Sequence, residues 1–235
     1  GSTTIVDSSS SPKTVTAVGD AQISTAQSKF GGASIAFDGS GDYLTIPPSV
    51  NMSLGTADFT IELWARFSTA NNNGLFQLSS GYLNSQTRGP AAGVATNGNW
   101  AIYHGTSVLL SAQAPTLNTW QHVAYVRSSG ITKLYVDGLQ IISVSDSTNY
   151  VDQYFLIGGW YSTIYLLNGY IDDLRITKGV ARYTANFTPP TAPFPDAGPP
   201  DPDFANVSLL LHGDGANGST TIVDSSSSPK TVTAV

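Results

Sequence analysis

The chain has no cysteine among its 235 residues, so disulfides, thiolate metal sites and thiol catalysis are excluded together. Charge is scarce as well: 11% of residues are Asp, Glu, Lys or Arg, less than half the share of an ordinary globular chain. The polar surface must therefore be built from Ser, Thr, Asn and Gln. Only ten residues are Lys or Arg and the net charge is −6, which argues against a nucleic-acid groove or an anionic membrane surface, since both need basic clusters. No apolar run approaches the ~20 residues of a membrane span. The Gly1-Ser2 opening has neither the basic nor the apolar region of a signal peptide. Disorder is not expected, because 40% of the residues are apolar and the net charge is small.

What is present begins with a repeat. Residues 1–18, GSTTIVDSSSSPKTVTAV, recur letter for letter as residues 218–235. The offset of 217 residues is the size of a domain and far from a solenoid period. Three readings stand open: one period of a tandem array with the start of the next, a circular permutant with an overlap, or a cloning overlap. Between the copies, Thr188–Asp203 (TPPTAPFPDAGPPDPD) holds seven of the thirteen prolines. No ladder or helix tolerates that density, and the stretch reads as a semi-rigid extended linker. Phe204–His212 follows as a buried-strand candidate.

Elsewhere period-two alternation dominates. In Phe59–Phe67 one face carries Phe59, Ile61, Leu63, Ala65 and Phe67, the other Thr60, Glu62, Trp64 and Arg66. Similar runs occur at 33–37, 43–46, 75–78, 100–103, 108–112, 120–127, 131–136, 139–144, 155–157 and 170–177. Asp38-Gly39, Asn97-Gly98, Ser129-Gly130, Asp137-Gly138 and Asn168-Gly169 separate them as turn signals, suited to hairpins that need φ > 0 at both central positions. Only Gly179–Tyr183 suggests a helical turn. About a dozen short strands at this spacing predict an all-β, two-sheet antiparallel sandwich.

Four motifs, in order, resemble laminin-G-like modules of the concanavalin A-like lectin/glucanase superfamily. They are Lys29–Leu44 (KFGGASIAFDGSGDYL), Asp58–Trp64 (DFTIELW), Thr119–Arg127 with Lys133–Gly138, and Gly169–Ile176 (GYIDDLRI). The resemblance covers most of residues 20–188, is similar to variants in environmental and phage-borne surface proteins, and implies a jelly-roll sandwich. The ends depart from the family pattern. There the first strand, here Asn206–His212, precedes the GSTTIVD segment; in this chain it follows the linker. The expected organisation is therefore 1–188 as a sandwich lacking its first strand, 189–203 as a linker, and 204–235 as that strand plus the second copy. The strand can return to its own domain or pass to the next molecule, and the second route generates fibres when it does not close.

Chemistry is sparse. Glycoside hydrolysis needs two carboxyls flanking the bond, and the chain has a single Glu, Glu62, which reads as a structural partner of Arg66 or a neighbouring strand. No Gly-x-Ser-x-Gly occurs, and His104, His122 and His212 are scattered. Calcium prefers carboxylates in Gly-rich loops such as Asp38–Asp42 and Asp214–Asn217. The resemblance implies calcium where the first loop meets the closing strand, which points to Asp214, Asp7 or its copy Asp224, and Asp172 or Asp173, with Asp38 as a further candidate. Sugar binding would use exposed aromatics, and the candidates are Trp160, Tyr161, Trp100 and Tyr103; Trp64 and Trp120 read as packing residues. The expectation is a non-catalytic adhesion module of an extracellular, cell-surface or virion-associated fibre protein. Its partners would be a glycan or a cell-surface protein, and neighbouring copies through the C-terminal strand. The rival reading is a structural filament subunit that binds no small ligand.

Overall fold

In the computed structural model, residues 5, 7–70, 72–79, 88–105, 107–151, 154–160, 165–196, 200–215 and 217 are described. The alternating runs become strands in chain order: β1 (Thr16–Val18), β2 (Gln22–Ser24), β3 (Ser34–Asp38), β4 (Tyr43–Ile46), β5 (Phe59–Phe67), β6 (Asn73–Ser79) and β7 (Arg88–Val94). They continue with β8 (Trp100–His104), β9 (Ser107–Leu110), β10 (Gln121–Ser128), β11 (Ile131–Val136), β12 (Leu139–Ser145) and β13 (Tyr154–Ile157). The last are β14 (Gly159–Trp160), β15 (Tyr165–Leu166), β16 (Asn168–Lys178) and β17 (Val207–Leu211). All the pairings are antiparallel. A seven-stranded sheet runs β1-β4-β13-β6-β7-β8-β9, and an eight-stranded sheet runs β12-β11-β10-β5-β16-β3-β2 with β17 also on β16. This is the expected jelly-roll sandwich. No helix among the described residues is long and apolar enough to cross a membrane.

The turn chemistry follows the sequence in part. Asp137 (φ 50°) and Gly138 (φ 78°) join β11 to β12, and Ser129 (φ 51°) and Gly130 (φ 73°) join β10 to β11, with positive φ at both central positions. Asn168-Gly169, expected as a turn, instead lies inside β16 and pairs with Asp38 and Phe37. The helical turn expected at Gly179–Tyr183 is absent. Gly179 sits at φ 81°, and the Arg182 N–H donates to Thr60 Oγ1 at 2.9 Å instead of to a helical carbonyl. A 3₁₀ turn forms at Phe204–Asn206.

The core lies between the sheets. Phe59, Ile61, Leu63 and Phe67 of β5 meet Leu75, Phe76, Leu78, Trp100, Phe155 and Ile157 of the facing sheet. The outer face of the eight-stranded sheet is not open to water as simple alternation predicts. A strap, described over residues 179–196 and 200–203, crosses it: Ala181, Tyr183 and Phe187 cover Ala124, Val126 and Tyr135. The Pro-rich stretch expected as a linker belongs to this strap. Phe194 is buried, its N–H donates to Asp173 Oδ2 at 2.7 Å, and the Arg175 guanidinium lies 3.9 Å from its ring centre. Proline prevents this segment from joining a ladder, but side chains dock it all the same.

Beneath the strap sits a buried ion network. Arg175 donates to Glu62 Oε1 from Nε at 3.0 Å and from Nη2 at 2.7 Å, and from Nη1 to Asp201 Oδ2 at 2.9 Å. Tyr183 Oη donates to Glu62 Oε2 at 2.8 Å, and Arg182 donates to both oxygens of Asp201. Glu62 is thus held by a neighbouring strand and the strap, not by Arg66. Burial alone would raise its pKa; Arg175, His122 and Tyr183 overcome that and hold it at about 2.

The strap delivers β17 to β16 of the same chain, with Leu174 opposite Leu211 and Ile176 opposite Leu209. β3 pairs with the first half of the same strand, Asn168–Ile171, so β3 and β17 lie end to end along one edge of β16. Between them β16 bulges at Asp172–Arg175, with Asp173 at φ 50°. The second copy, 218–235, lies outside the described residues.

Glu62→Gln removes one of the two carboxylates on buried Arg175 and leaves Asp201 as its remaining charged partner, so a loss in urea denaturation of up to about 3 kcal/mol is expected. The folded-state pKa of Glu62 lies below its unfolded value, so its contribution is present above about pH 4.5 and fades as pH falls toward 2. The parent should lose stability across that window, and Glu62→Gln should lose less of it; equal acid sensitivity would show that Glu62 does not carry the effect.

Candidate functional site

The outer face of the seven-stranded sheet carries an aromatic groove. On β8 the pleat sends Trp100 and Ile102 inward and Ala101 and Tyr103 outward. Above them the β14–β15 hairpin lays Trp160 and Tyr165 across the sheet. Two glycines make room for it. A Cβ on Gly93 would meet Trp160 Cζ2 at 3.0 Å and the Asn73 carbonyl oxygen at 2.3 Å; one on Gly74 would meet the Trp160 nitrogen at 2.3 Å. Trp160 Nε1 donates to the Phe76 carbonyl at 3.1 Å, which fixes the indole. The Tyr103 ring stands edge-on to Trp160 at 5.3 Å, and the Tyr165 ring at 6.2 Å. Together with Ala95, Thr96, Val108 and Leu110 these side chains line a groove of about 190 Å³.

Of the four aromatics expected to bind ligand, the structure brings Trp160 and Tyr103 together. Tyr161 lies outside the described residues. Trp100 is a correction: it is 1% exposed and packs edge-on against Phe67 at 5.3 Å in the core. The reason is parity, since positions three apart on a strand face opposite sides. Trp160 is itself 3% exposed, so it supports the groove while the half-buried Tyr103 and Tyr165 present their rings. Tyr165 was missed in the sequence; the alternation that placed other residues fails for a hairpin two residues wide. Trp64 lies on β5 and is buried, as read from the sequence, with the Lys29 ammonium 3.8 Å from its ring centre.

The carboxylates expected to bind calcium do not form one cluster. Asp172 and Asp214 are neighbours at the seam between β3 and β17. Asp172 Oδ2 accepts the N–H groups of Lys29 at 2.7 Å and Phe30 at 3.1 Å, and the Asp214 carboxylate lies over Gly31. Each leaves one buried oxygen, Oδ1, without a hydrogen-bond partner. Burial, with the nearby charges of Asp173 and Asp214, pushes Asp172 up to about 7. Asp173 is turned to other work, pairing with His212 Nδ1 at 2.6 Å and with the Phe194 N–H.

Asp7 lies elsewhere and is fully engaged: Oδ1 accepts from Ser9 and Leu210, Oδ2 from Lys13. Asp38 is exposed and lines a different cavity, of about 420 Å³, with Asp20, Asp42 and Tyr170. Asp224, the copy of Asp7, lies outside the described residues. Among the described residues no three His, Asp or Glu side chains converge as a metal site. A cation at the seam would thus rest on Asp172 and Asp214 plus other oxygens.

Comparison with known proteins agrees with the architecture. Domain 4 of AbnA, a GH43 extracellular arabinanase from Geobacillus stearothermophilus in complex with arabinotriose, superposes with a TM-score of 0.55 at 17% identity, covering 72% of this chain and 84% of that one. A putative carbohydrate binding protein from Bacteroides ovatus gives 0.57 at 18% identity, over 76% of this chain and 51% of that one. The enzymatically active domain of tailspike protein 2 from bacteriophage CBA120 gives 0.59 at 11% identity, over 89% of this chain and 34% of that one. The chain therefore spans about half of the Bacteroides protein and a third of the tailspike domain. No curated protein sequence matches it. Residues 38–182, more than half of the sequence, match the family described as the concanavalin A-like lectin/glucanases superfamily, and to that superfamily the chain belongs.

Proposed function

We propose that this chain is a non-catalytic carbohydrate-binding module of an extracellular adhesive protein, with the Tyr103–Trp160–Tyr165 groove as its ligand surface. The observation that carries this reading is the groove itself. Two tyrosine rings are held at fixed angles by a buried tryptophan, over small residues and beside Thr96. Such a surface offers flat apolar faces for sugar rings with polar groups at the rim, the usual composition of a small-ligand site. The arabinanase domain is seen with arabinotriose, and the Bacteroides protein is described as carbohydrate binding, which supports the same class of ligand. Glu62, the one glutamate, is spent in the ion network and buried, which favours binding over hydrolysis.

A glycan array, followed by calorimetry on the best oligosaccharide, tests the reading. Tyr103→Ala and Tyr165→Ala are expected to weaken binding at least about tenfold each while leaving the unfolding midpoint close to the parent's. Undiminished binding in both variants would move the site elsewhere, and no binding to any glycan would leave the structural-filament reading in its place.

The proposal extends to calcium at the seam. Asp172 and Asp214 each offer a free, buried carboxylate oxygen, the donor type a hard cation takes. A bound cation would supply positive charge where carboxylates are crowded and would tie the 29–31 loop to the segment after β17. Calcium at millimolar concentration should then raise the thermal midpoint by several degrees, and Asp172→Asn should abolish the shift. A midpoint indifferent to calcium and chelator in the parent would remove the metal from the reading.

A further inference from the structure

The outward positions of an edge strand face water, and native sheets favour charge there. β9, the last strand of the seven-stranded sheet, departs from this. It packs Leu109 against the core and turns Val108 and Leu110 outward, where they are 49% and 53% exposed. Its register brings both into the groove: Val108 stands opposite Tyr103, and Leu110 stands opposite Ala101. Directly opposed residues share a face of the sheet. One strand further in, Ala91 is opposite Tyr103 and Gly93 is opposite Ala101. The row Gly93–Ala101–Leu110 therefore runs from beneath Trp160, over two small residues, to an aliphatic wall at the edge.

The chemistry of this lining narrows the ligand. Among the described residues that line the groove, none is charged and none carries a side-chain amide. A uronic or sialic acid would find no counter-charge there, on a chain whose net charge is already −6. An N-acetyl group would bring its methyl to Val108 and Leu110 only by pressing its N–H and carbonyl toward the same apolar wall, and an unpaired amide is costly there. A hydroxymethyl group carries a hydroxyl into that wall with the same penalty. A bare methyl carries none. The space, about 190 Å³, is smaller than the roughly 300–1,000 Å³ that takes a drug-sized ligand, so it suits one sugar ring and its substituents.

We propose that the groove selects neutral 6-deoxyhexoses, the sugar ring lying against Tyr103 and Tyr165 and its C6 methyl against Val108 and Leu110. This rests on the reading of the groove as the glycan surface and adds which sugars it takes. Apolar pockets discriminate on one methylene or one hydroxyl by about ten- to a hundredfold, and a wall half open to water belongs at the low end of that range.

The test is a ligand-observed NMR titration, which reads millimolar affinities, on the full 235-residue chain. Two matched pairs of probes differ only in the C6 hydroxyl: methyl α-L-fucoside against methyl α-L-galactoside, and methyl α-L-rhamnoside against methyl α-L-mannoside. In at least one pair the deoxy sugar should bind about tenfold tighter. Combining Val108→Ser with Leu110→Ser should bring the two members of that pair within about twofold of each other. Both side chains are exposed, so the unfolding midpoint of this variant should stay near the parent's. Equal affinities in both pairs, or a preference for the hydroxymethyl sugars, overturn the inference and leave the glycan surface standing. A deoxy preference that survives in the serine variant also overturns it, because the aliphatic wall is then not its source. Failure of all four probes to bind overturns it as well. Other glycans that bind on the array and are lost in Tyr103→Ala would then preserve the groove as the ligand surface, whereas silence across the array removes both readings.

Discussion

The Glu62–Arg175 pair is the contact on which the rest of this domain is assembled. Glu62 points outward from β5, a position that alternation would expose to water, and it is instead fully buried. A lone carboxylate there would be prohibitively costly. Arg175, one strand away, makes it tolerable, and the same guanidinium reaches Asp201 and lies over Phe194 in the strap. One side chain therefore links the sheet to the segment that covers it. Because the strap ends in β17, the pair also determines where that strand arrives, and so what residues 7–13 have to hold. Buried ion pairs add little net stability compared with apolar packing. Their directionality is another matter, and here it selects one path for a proline-rich segment with little other means of being placed.

The two sheets divide the surface between them. The strap closes the outer face of the eight-stranded sheet with Tyr183, Phe187 and Phe194, so that face serves stability. Over β7 and β8 the outer face of the seven-stranded sheet carries the β14–β15 hairpin, where Ala91, Gly93 and Ala101 leave room for Trp160. Small residues on two strands and large ones on an overlying hairpin produce the groove. Exposed Val108 and Leu110 on β9 extend its apolar wall.

Much of this architecture was legible in the sequence, for a simple reason: a strand with one buried face must alternate, and long strands such as β5, β10 and β11 display it over many residues. The missed strands are those without alternation. β7 reads RGPAAGV, whose glycines and proline argue for a loop, yet the small residues are what let the hairpin lie over it. The two-residue strands β14 and β15 are too short for any period. The strap was misread because proline density excludes regular structure but says nothing about docking; Phe194 and Asp201 hold it by side chains spaced irregularly. At the candidate sites, residue type alone put Trp100 beside Tyr103, and the pleat separates them. Asp172 and Asp214 were paired by their motif positions, whereas the engagement of Asp7 by Leu210 depends on a strand 203 residues away.

The end-to-end placement of β3 and β17 along β16 has a mechanical meaning. An edge shared by two strands is a jointed edge. Pulling β17 away breaks the ladder only from Leu174 onward and leaves the Asn168–Ile171 pairing with β3 intact. A continuous strand in that place would transmit the load along the whole edge. Tension on β17 would thus fall on its ladder with β16 and on the contacts of residues 7–10, ahead of the β3 pairing.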